Sequence, residues 1–253
     1  LSRRGRLFLF ALAGGGFAAV LVVAFRGLPD FGNYHGVYGR VINGIGVTLR
    51  HGTDLITLLN FDVRAFDTLG EEFILFASVL GIVLILRQLR GEEEEPHAQE
   101  SQEEHHFAGA SAALRALSLV LIPTILTIGV YIVVHGQITP GGGFQGGVIL
   151  ATAPLGAFLA GRYLRMKAIA PHLLLEWGDA IGAAGYALLG LSGLVFAGIF
   201  LKNYIPLGTA GHLLSGGQLD VASVFVGLEV SGAFLVAWTQ FLDQAMVVKG
   251  TKQ

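Results

Sequence analysis

The sequence predicts an all-α, polytopic transmembrane helix bundle with about six spanning helices plus one amphipathic interfacial helix. Three observations predict it. Charged residues make up 13% of the chain, about half of what keeps a soluble domain's surface wet. The 37 glycines are about twice the usual share, as expected where helices pack closely inside lipid. Apolar runs also recur at the length that covers roughly 30 Å of hydrocarbon at about 1.5 Å per residue. No stretch resembles a water-soluble enzyme domain.

The first apolar run, Leu7–Phe25, follows Arg3, Arg4 and Arg6. A cleaved signal peptide opens in the same way, but this run is long and Val20–Phe25 lacks a small-residue cleavage pattern, so it is read as a span. Val41–Asn60 mixes Arg50, His51 and Asp54 with Val, Ile and Leu at near-helical spacing. It is expected to lie as an amphipathic helix on the outer face, with a re-entrant segment as the alternative. The second span, Phe73–Leu86, is short and should extend back through Leu69 and Glu71. Residues 91–106 (GEEEEPHAQESQEEHH) are acidic and aperiodic, which predicts a solvated linker. It divides a two-helix module, 1–90, from a four-helix module, 107–253. Leu117–Val134, Phe144–Gly161, Ile181–Leu201 and Val221–Phe241 supply the last four spans.

Lysine and arginine set the expected orientation. With the N-terminus inside, Arg3, Arg4, Arg6, Arg87, Arg90, Arg115, Arg162, Arg165, Lys167, Lys249 and Lys252 are cytoplasmic. Only Arg26, Arg40, Arg50, Arg64 and Lys202 fall outside. The expectation is a multi-pass protein of a prokaryotic plasma membrane with both termini cytoplasmic.

The chain has no cysteine, which removes disulfides, iron–sulfur ligation, thiolate zinc sites and cysteine nucleophiles. A net charge of −2 gives no footprint for nucleic acid. His35, His51, His135, His172 and His212 are not placed mid-helix opposite one another, as a bis-histidine haem requires. His97, His105 and His106 share the acidic linker, where adventitious metal binding is plausible but a designed site is not. No cofactor and no resident metal is expected.

Three places carry chemistry. In FDVRAFDTLGEE (61–72), a helix would put Arg64, Asp67 and Glu71 on one face. That face is either a gate for cations or protons, or an interfacial anchor whose acids cap the next helix. In HGQITPGGGFQGG (135–147), Pro140, Gly141, Gly142, Gly143 and Phe144 mark either a bare hairpin or an unwound helix start that meets an ion or a neighbouring chain. It is not a phosphate loop, because the GK[ST] ending is missing. Glu229 stands near the middle of the last span, as an ion-translocating acid or as a structural hydrogen bond between helices. The series Gly178, Gly182, Gly185, Gly190, Gly193 and Gly198 is read as helix–helix packing.

At these motifs a family resemblance emerges. Residues from about 107 to 245 resemble the B-type subunit of Mrp-type multisubunit Na+/H+ antiporters, on HGQITPGGGFQGGVILA (135–151) and LGTAGHLLSGGQLDVASVFVGLEVSGA (207–233). Residues 1–90 are similar to the small E-type subunit of membrane-bound hydrogenases and to the C-terminal part of the A-type antiporter subunit, on FDVRAFDTLGE (61–71). The resemblance implies a membrane-arm subunit of a complex related to respiratory complex I, surrounded by other membrane subunits and the lipid bilayer, with Na+ and H+ as transported ions. It also implies that Arg64 and Glu71, with Asp67 between them, take part in ion movement, and that Pro140 and Phe144 bear on antiport. Glu72 and Ala65 fall where the family varies, so no role is carried onto them. Two modules of this kind in one polypeptide depart from the common gene layout. Neither module resembles the large antiporter-like subunits, so the chain is expected to be a transporter subunit, not an enzyme, and not to pump alone. The alternative is a membrane-arm subunit of a redox-driven ion pump such as an energy-converting hydrogenase.

Overall fold

The computed structural model describes residues 3–28, 32, 36–86, 111–160 and 171–250. The expected linker, 91–106, lies outside them, as do His35, Arg162, Arg165 and Lys167. Within the described residues the chain is helical, with no strand. Its elements are α1 (Arg3–Arg26), α2 (Val37–Arg50), α3 (Leu55–Leu58), a π-helical turn (Leu59–Val63), α4 (Ala65–Leu86), α5 (Ala112–Val134), α6 (Gly143–Leu159), α7 (His172–Ala197) and α8 (Leu219–Gly250). Five of them contain apolar spans long enough to cross a membrane: Arg3–Arg26, Ala65–Leu86, Ala112–Val134, Leu173–Ala197 and Leu219–Leu242. Gly143–Leu159 is apolar but shorter. The chain forms two compact units, Leu1–Val41 and Ile42–Gln253. In the second, α4 from the expected N-terminal module folds together with α5–α8.

The second unit is built around α8, which packs on α4, α5, α6 and α7. Its buried positions, among them Ala222, Ser223, Val226, Glu229, Val230, Ala233 and Val236, run round much of the helix. Small residues on its neighbours make this possible. A Cβ on Gly143, at the start of α6, would overlap the Ser223 carbonyl. One on Gly147 would sit 2.8 Å from Val230 Cβ and 2.9 Å from the Gly227 carbonyl. The PGGGFQGG run therefore packs a helix start tightly against α8. Pro123 and Pro154 lie inside α5 and α6, as spanning helices tolerate when neighbours surround them.

Two expected elements are redrawn. Val41–Asn60 is not one surface helix. His51 takes φ 55°, the left-handed region, and breaks it, so α2 ends at Arg50 and the rest turns inward. The Thr53 and Asp54 amides donate to the Gln137 carbonyl at 3.0 and 3.1 Å, and the Asp54 carboxylate caps α3 by accepting from the Thr57 amide at 2.9 Å. Leu58 is then fully buried, in a cluster with Tyr186, Leu219 and Val226. The span expected at Ile181–Leu201 instead runs from His172 to Ala197. Gly198 ends it in the left-handed conformation at φ 71°. The apolar Ile199–Leu201 then folds back on the helix, with the Leu201 amide donating to the Gly190 carbonyl at 3.1 Å. Gly190 and Gly193 make room for this return, while Gly182 and Gly185 face α8. Only part of that glycine series serves helix packing.

Three loops knit one end of the bundle. Gln137 donates through Nε2 to the Leu213 carbonyl, Thr53 donates through Oγ1 to the Ile138 carbonyl at 2.6 Å, and His51 Nδ1 lies 2.6 Å from the Gly208 carbonyl. Residues 51–54, 135–142 and 203–218 thus share one end, as alternate crossings of the membrane require.

Candidate functional site

A buried carboxyl cluster lies where α4, α7 and α8 meet. Glu72 is 3% exposed, Asp179 6% and Glu229 0%. The approach of α7 to α8 is set at these residues. A Cβ on Gly182 would overlap the Glu229 backbone nitrogen, and one on Gly232 would lie 2.7 Å from the Asp179 amide and 2.6 Å from the Leu175 carbonyl. On α4 the inward stripe is Ala65, Thr68, Glu72 and Val79, in which two small residues precede the glutamate.

The three acids lie among buried residues of α4, α7 and α8 that pack together, Ala65, Tyr186, Val226 and Val230 in one cluster and Val79, Leu175, Ala233 and Val236 in another. Their carboxyls interact electrostatically. Neighbouring hydroxyls are committed elsewhere. Tyr186 donates to the Ala65 carbonyl at 3.0 Å, and Thr68 donates to the Asn60 carbonyl at 2.8 Å. As carboxylates, Glu72 Oε2, both Glu229 oxygens and Asp179 Oδ1 find no donor among the described residues. Ionised carboxyls only accept, so a hydrogen bond between Glu72 and Glu229 requires a proton on one of them. Among the described residues no three acids or histidines converge as ligands of a metal ion.

A polar system of a different kind lies at the loop end. Asp62, in the π-helical turn, has a side chain only 5% exposed and pairs with Arg50 Nε at 3.3 Å. Burial pushes its carboxyl above the ordinary range, against the opposing pull of Arg50, a hydrogen bond with Asn203, and Lys202. Gln218 ties this region together, donating through Nε2 to the carbonyls of Phe61 at 2.9 Å and Leu201 at 3.1 Å, while its amide donates to Asn203 Oδ1 at 3.0 Å.

The residues singled out in the sequence fall in three places. Arg64, just before α4, pairs with Asp67, and both are exposed together with Glu71 on the outward side of that helix in the isolated chain. Pro140 is exposed, Gly141 half-buried, and Gly142 and Gly143 buried; Gly142 has φ 121°. Phe144 is 50% exposed and meets Phe234 edge-on at a centroid distance of 6.4 Å. Glu229 is in the interior, apart from both groups. Its neighbours in the cluster, Glu72 and Asp179, were not singled out. Glu72 follows Glu71 by one residue, which turns it to another face. Asp179 precedes the expected span at Ile181. Once α7 begins at His172, Leu175, Asp179, Gly182, Tyr186 and Leu189 align on one face, the signal that could have found it.

Comparison with known proteins gives this geometry a context. Residues 113–236 match the family described as Domain related to MnhB subunit of Na+/H+ antiporter. The uncharacterized protein MJ1307 of Methanocaldococcus jannaschii is 28% identical over 210 residues, which cover 76% of this chain and 78% of that protein. A chain of the membrane-bound sulfane sulfur reductase, an archaeal respiratory membrane complex, superposes with a TM-score of 0.70 at 27% identity. The alignment covers 94% of this chain and 98% of that one. A chain of the Mrp complex from Dietzia sp. DQ12-45-1b shares the fold at a TM-score of 0.68 and 23% identity, covering 95% of this chain and 26% of that longer chain. In each of the two solved complexes, a single chain aligns with nearly all of this one. Residues 113–236 of this chain are thus similar to the MnhB-related domain of Na+/H+ antiporters.

Proposed function

We propose that the chain is a membrane subunit of a multisubunit Na+(cation)/H+ antiporter related to the membrane arm of complex I, contributing to the ion pathway and to assembly. The observation that carries this reading is the Glu72–Glu229–Asp179 cluster. It is buried between spanning helices and drawn from both parts of the chain, with Glu72 before the linker and the other two in the MnhB-related domain. Even a single uncompensated carboxyl in a membrane interior costs about 2.5–3.5 kcal/mol, so such groups mark ion or proton pathways.

The outward face of α4 supports a place among other subunits. Arg64, Asp67 and Glu71 share it with the exposed side chains of Phe66, Phe73 and Ile74. Charges there would be costly against lipid, so a neighbouring membrane protein of the complex covers them and completes an ion gate. The bias of basic residues supports a topology with both termini cytoplasmic in a prokaryotic plasma membrane. A second reading is a membrane-arm subunit of a redox-driven pump. The end-to-end match with a chain of the sulfane sulfur reductase complex favours it.

The test is to tag the C-terminus, solubilise native membranes gently and identify every co-purifying protein. Large antiporter-like membrane subunits alone support the antiporter, whereas hydrophilic cluster-bearing subunits move the chain into a redox-driven pump. A chain that purifies alone overturns both readings. In the assembled complex, Arg64→Ala and Glu71→Gln are expected to cut Na+/H+ exchange while leaving the subunits together. Full exchange in both variants would remove the outward face from the pathway.

A further inference from the structure

We propose that Glu72, Glu229 and Asp179 form a proton relay inside this chain, in which Glu72 and Glu229 share one proton and Asp179 carries protons between that pair and the bundle end opposite the knitted loops. The inference rests on the antiporter reading for its physiological use, but the relay is a property of this chain.

Position along the helices comes first. Measured from the loop end, Glu72 lies seven residues into α4 and Glu229 ten residues into α8, about 10 and 15 Å along each axis. Asp179 packs against Gly232, thirteen residues into α8, or about 20 Å. Along the helices the three residues therefore run from nearer the loop end, with Glu72 and Glu229, towards the other side, with Asp179, each on a different helix. α7 begins at that far side, only seven residues before Asp179.

Chemistry then selects the proton over a metal cation. A sodium ion needs several oxygens converging on one point, and no three acids among the described residues do so. A proton needs only two oxygens that can share it, and Glu72 and Glu229 are both buried at the α4–α8 contact with carboxyl oxygens that have no donor among the described residues. The groups that face the pair are consistent with this. Asp179 and Tyr186 come from α7, while Glu71 of α4 acts on Glu72 only through its charge, from the exposed face. α6 has no titratable residue in its sequence, and no basic side chain is among the groups acting on the three acids. Tyr186 has its proton on the Ala65 carbonyl. With no donor to Glu72 Oε2, to either Glu229 oxygen or to Asp179 Oδ1 among the described residues, the carboxyls answer one another. When Asp179 gives up its proton it becomes a carboxylate and Glu229 becomes the acid; the reverse step restores both.

The experiment treats the native complex with dicyclohexylcarbodiimide, which modifies protonated carboxyls in apolar surroundings, and locates the adduct by mass spectrometry with and without sodium chloride. The expected result is an adduct on Glu72 or Glu229 that declines as pH rises, is unaffected by sodium, and disappears in the Glu72→Gln, Glu229→Gln double variant. In exchange assays on vesicles, Glu229→Gln is expected to lower proton-coupled flux about a hundredfold, the lower end of what a positioned proton-transfer group contributes. Co-purification of the other subunits shows that the variant is assembled. Protection by sodium would overturn the relay in favour of a cation site. Absence of an adduct on both glutamates would overturn it outright, as would full flux in Glu229→Gln. Should the native complex exchange no sodium while the sodium-insensitive adduct forms, the antiporter reading fails and the relay stands.

Discussion

Glu71 and Glu72 are chain neighbours on α4, yet one is exposed on the isolated chain and the other is 3% exposed against Glu229. The same contrast separates two ion pairs. Arg64–Asp67 lies on the outward face, with side chains 58% and 47% exposed. Arg50–Asp62 lies inward, and its aspartate side chain is 5% exposed. A helix turns about 100° per residue, so adjacent acids meet different surroundings. On the proposed reading a partner protein covers the outward set, whereas the inward set is answered within the same chain, Glu72 by α7 and α8 and Asp62 by Arg50. Substitutions on the inward face should therefore disturb the fold first, whereas on the outward face loss of charge should disturb exchange and added bulk should disturb assembly.

The largest expected effect is at the α7–α8 crossing. Gly182→Leu drives a side chain into the Glu229 backbone and should cost about 3 kcal/mol, the upper part of the range for overpacking. It is read as loss of a monodisperse peak and a lowered Tm after solubilisation. An unchanged Tm would mean that the two helices do not meet as closely as their glycines allow.

Arg50→Ala should cost less, about 1–2 kcal/mol, because Arg50 is itself one-third exposed. Its sign with pH is specific. The Asp62 carboxyl is held above its ordinary range, so its ionisation in the fold already costs stability as pH rises through that range. Removing Arg50 enlarges the cost of the charged form only. The fall in Tm should therefore be greater near neutral pH than in acid, where protonation of Asp62 progressively removes the charge that Arg50 answers. An equal fall in both conditions would show that Arg50 acts through packing.

The smallest effects on stability belong to the outward face. Gly70 has open space around its missing Cβ, so Gly70→Leu should leave Tm unchanged or raise it by an amount worth about 0.5–1 kcal/mol through helix propensity. Arg64→Ala should cost at most about 0.5 kcal/mol. Gly70→Leu should instead reduce recovery of partner subunits, because the added side chain occupies the face they cover. A destabilised chain with normal partner recovery would invert the comparison.

Much of this was legible in the sequence. Length, apolar runs and the scarcity of charge fixed the all-helical membrane class, since lipid leaves the backbone few other ways to satisfy its hydrogen bonds. Pro140 and the glycines after it marked a break between helices, and Glu229 stood out because a carboxyl deep in a span needs an explanation. Other features depended on tertiary contacts. The run at Ile199–Leu201 is apolar enough to continue α7, but Gly198 turns it back onto Gly190. Val41–Asn60 has the spacing of one amphipathic helix, but the strained His51 and the Gln137 carbonyl divide it and bury its second half. Glu72 and Asp179 gave no signal of their own. Their meaning comes from Glu229, which is 157 and 50 positions away along the chain, and only the close approach of α4, α7 and α8 brings the three acids together. Local patterning determined what could span the membrane; long-range packing decided which charges the spans enclose, because that depends on helix rotation and contact distance, which no single segment specifies.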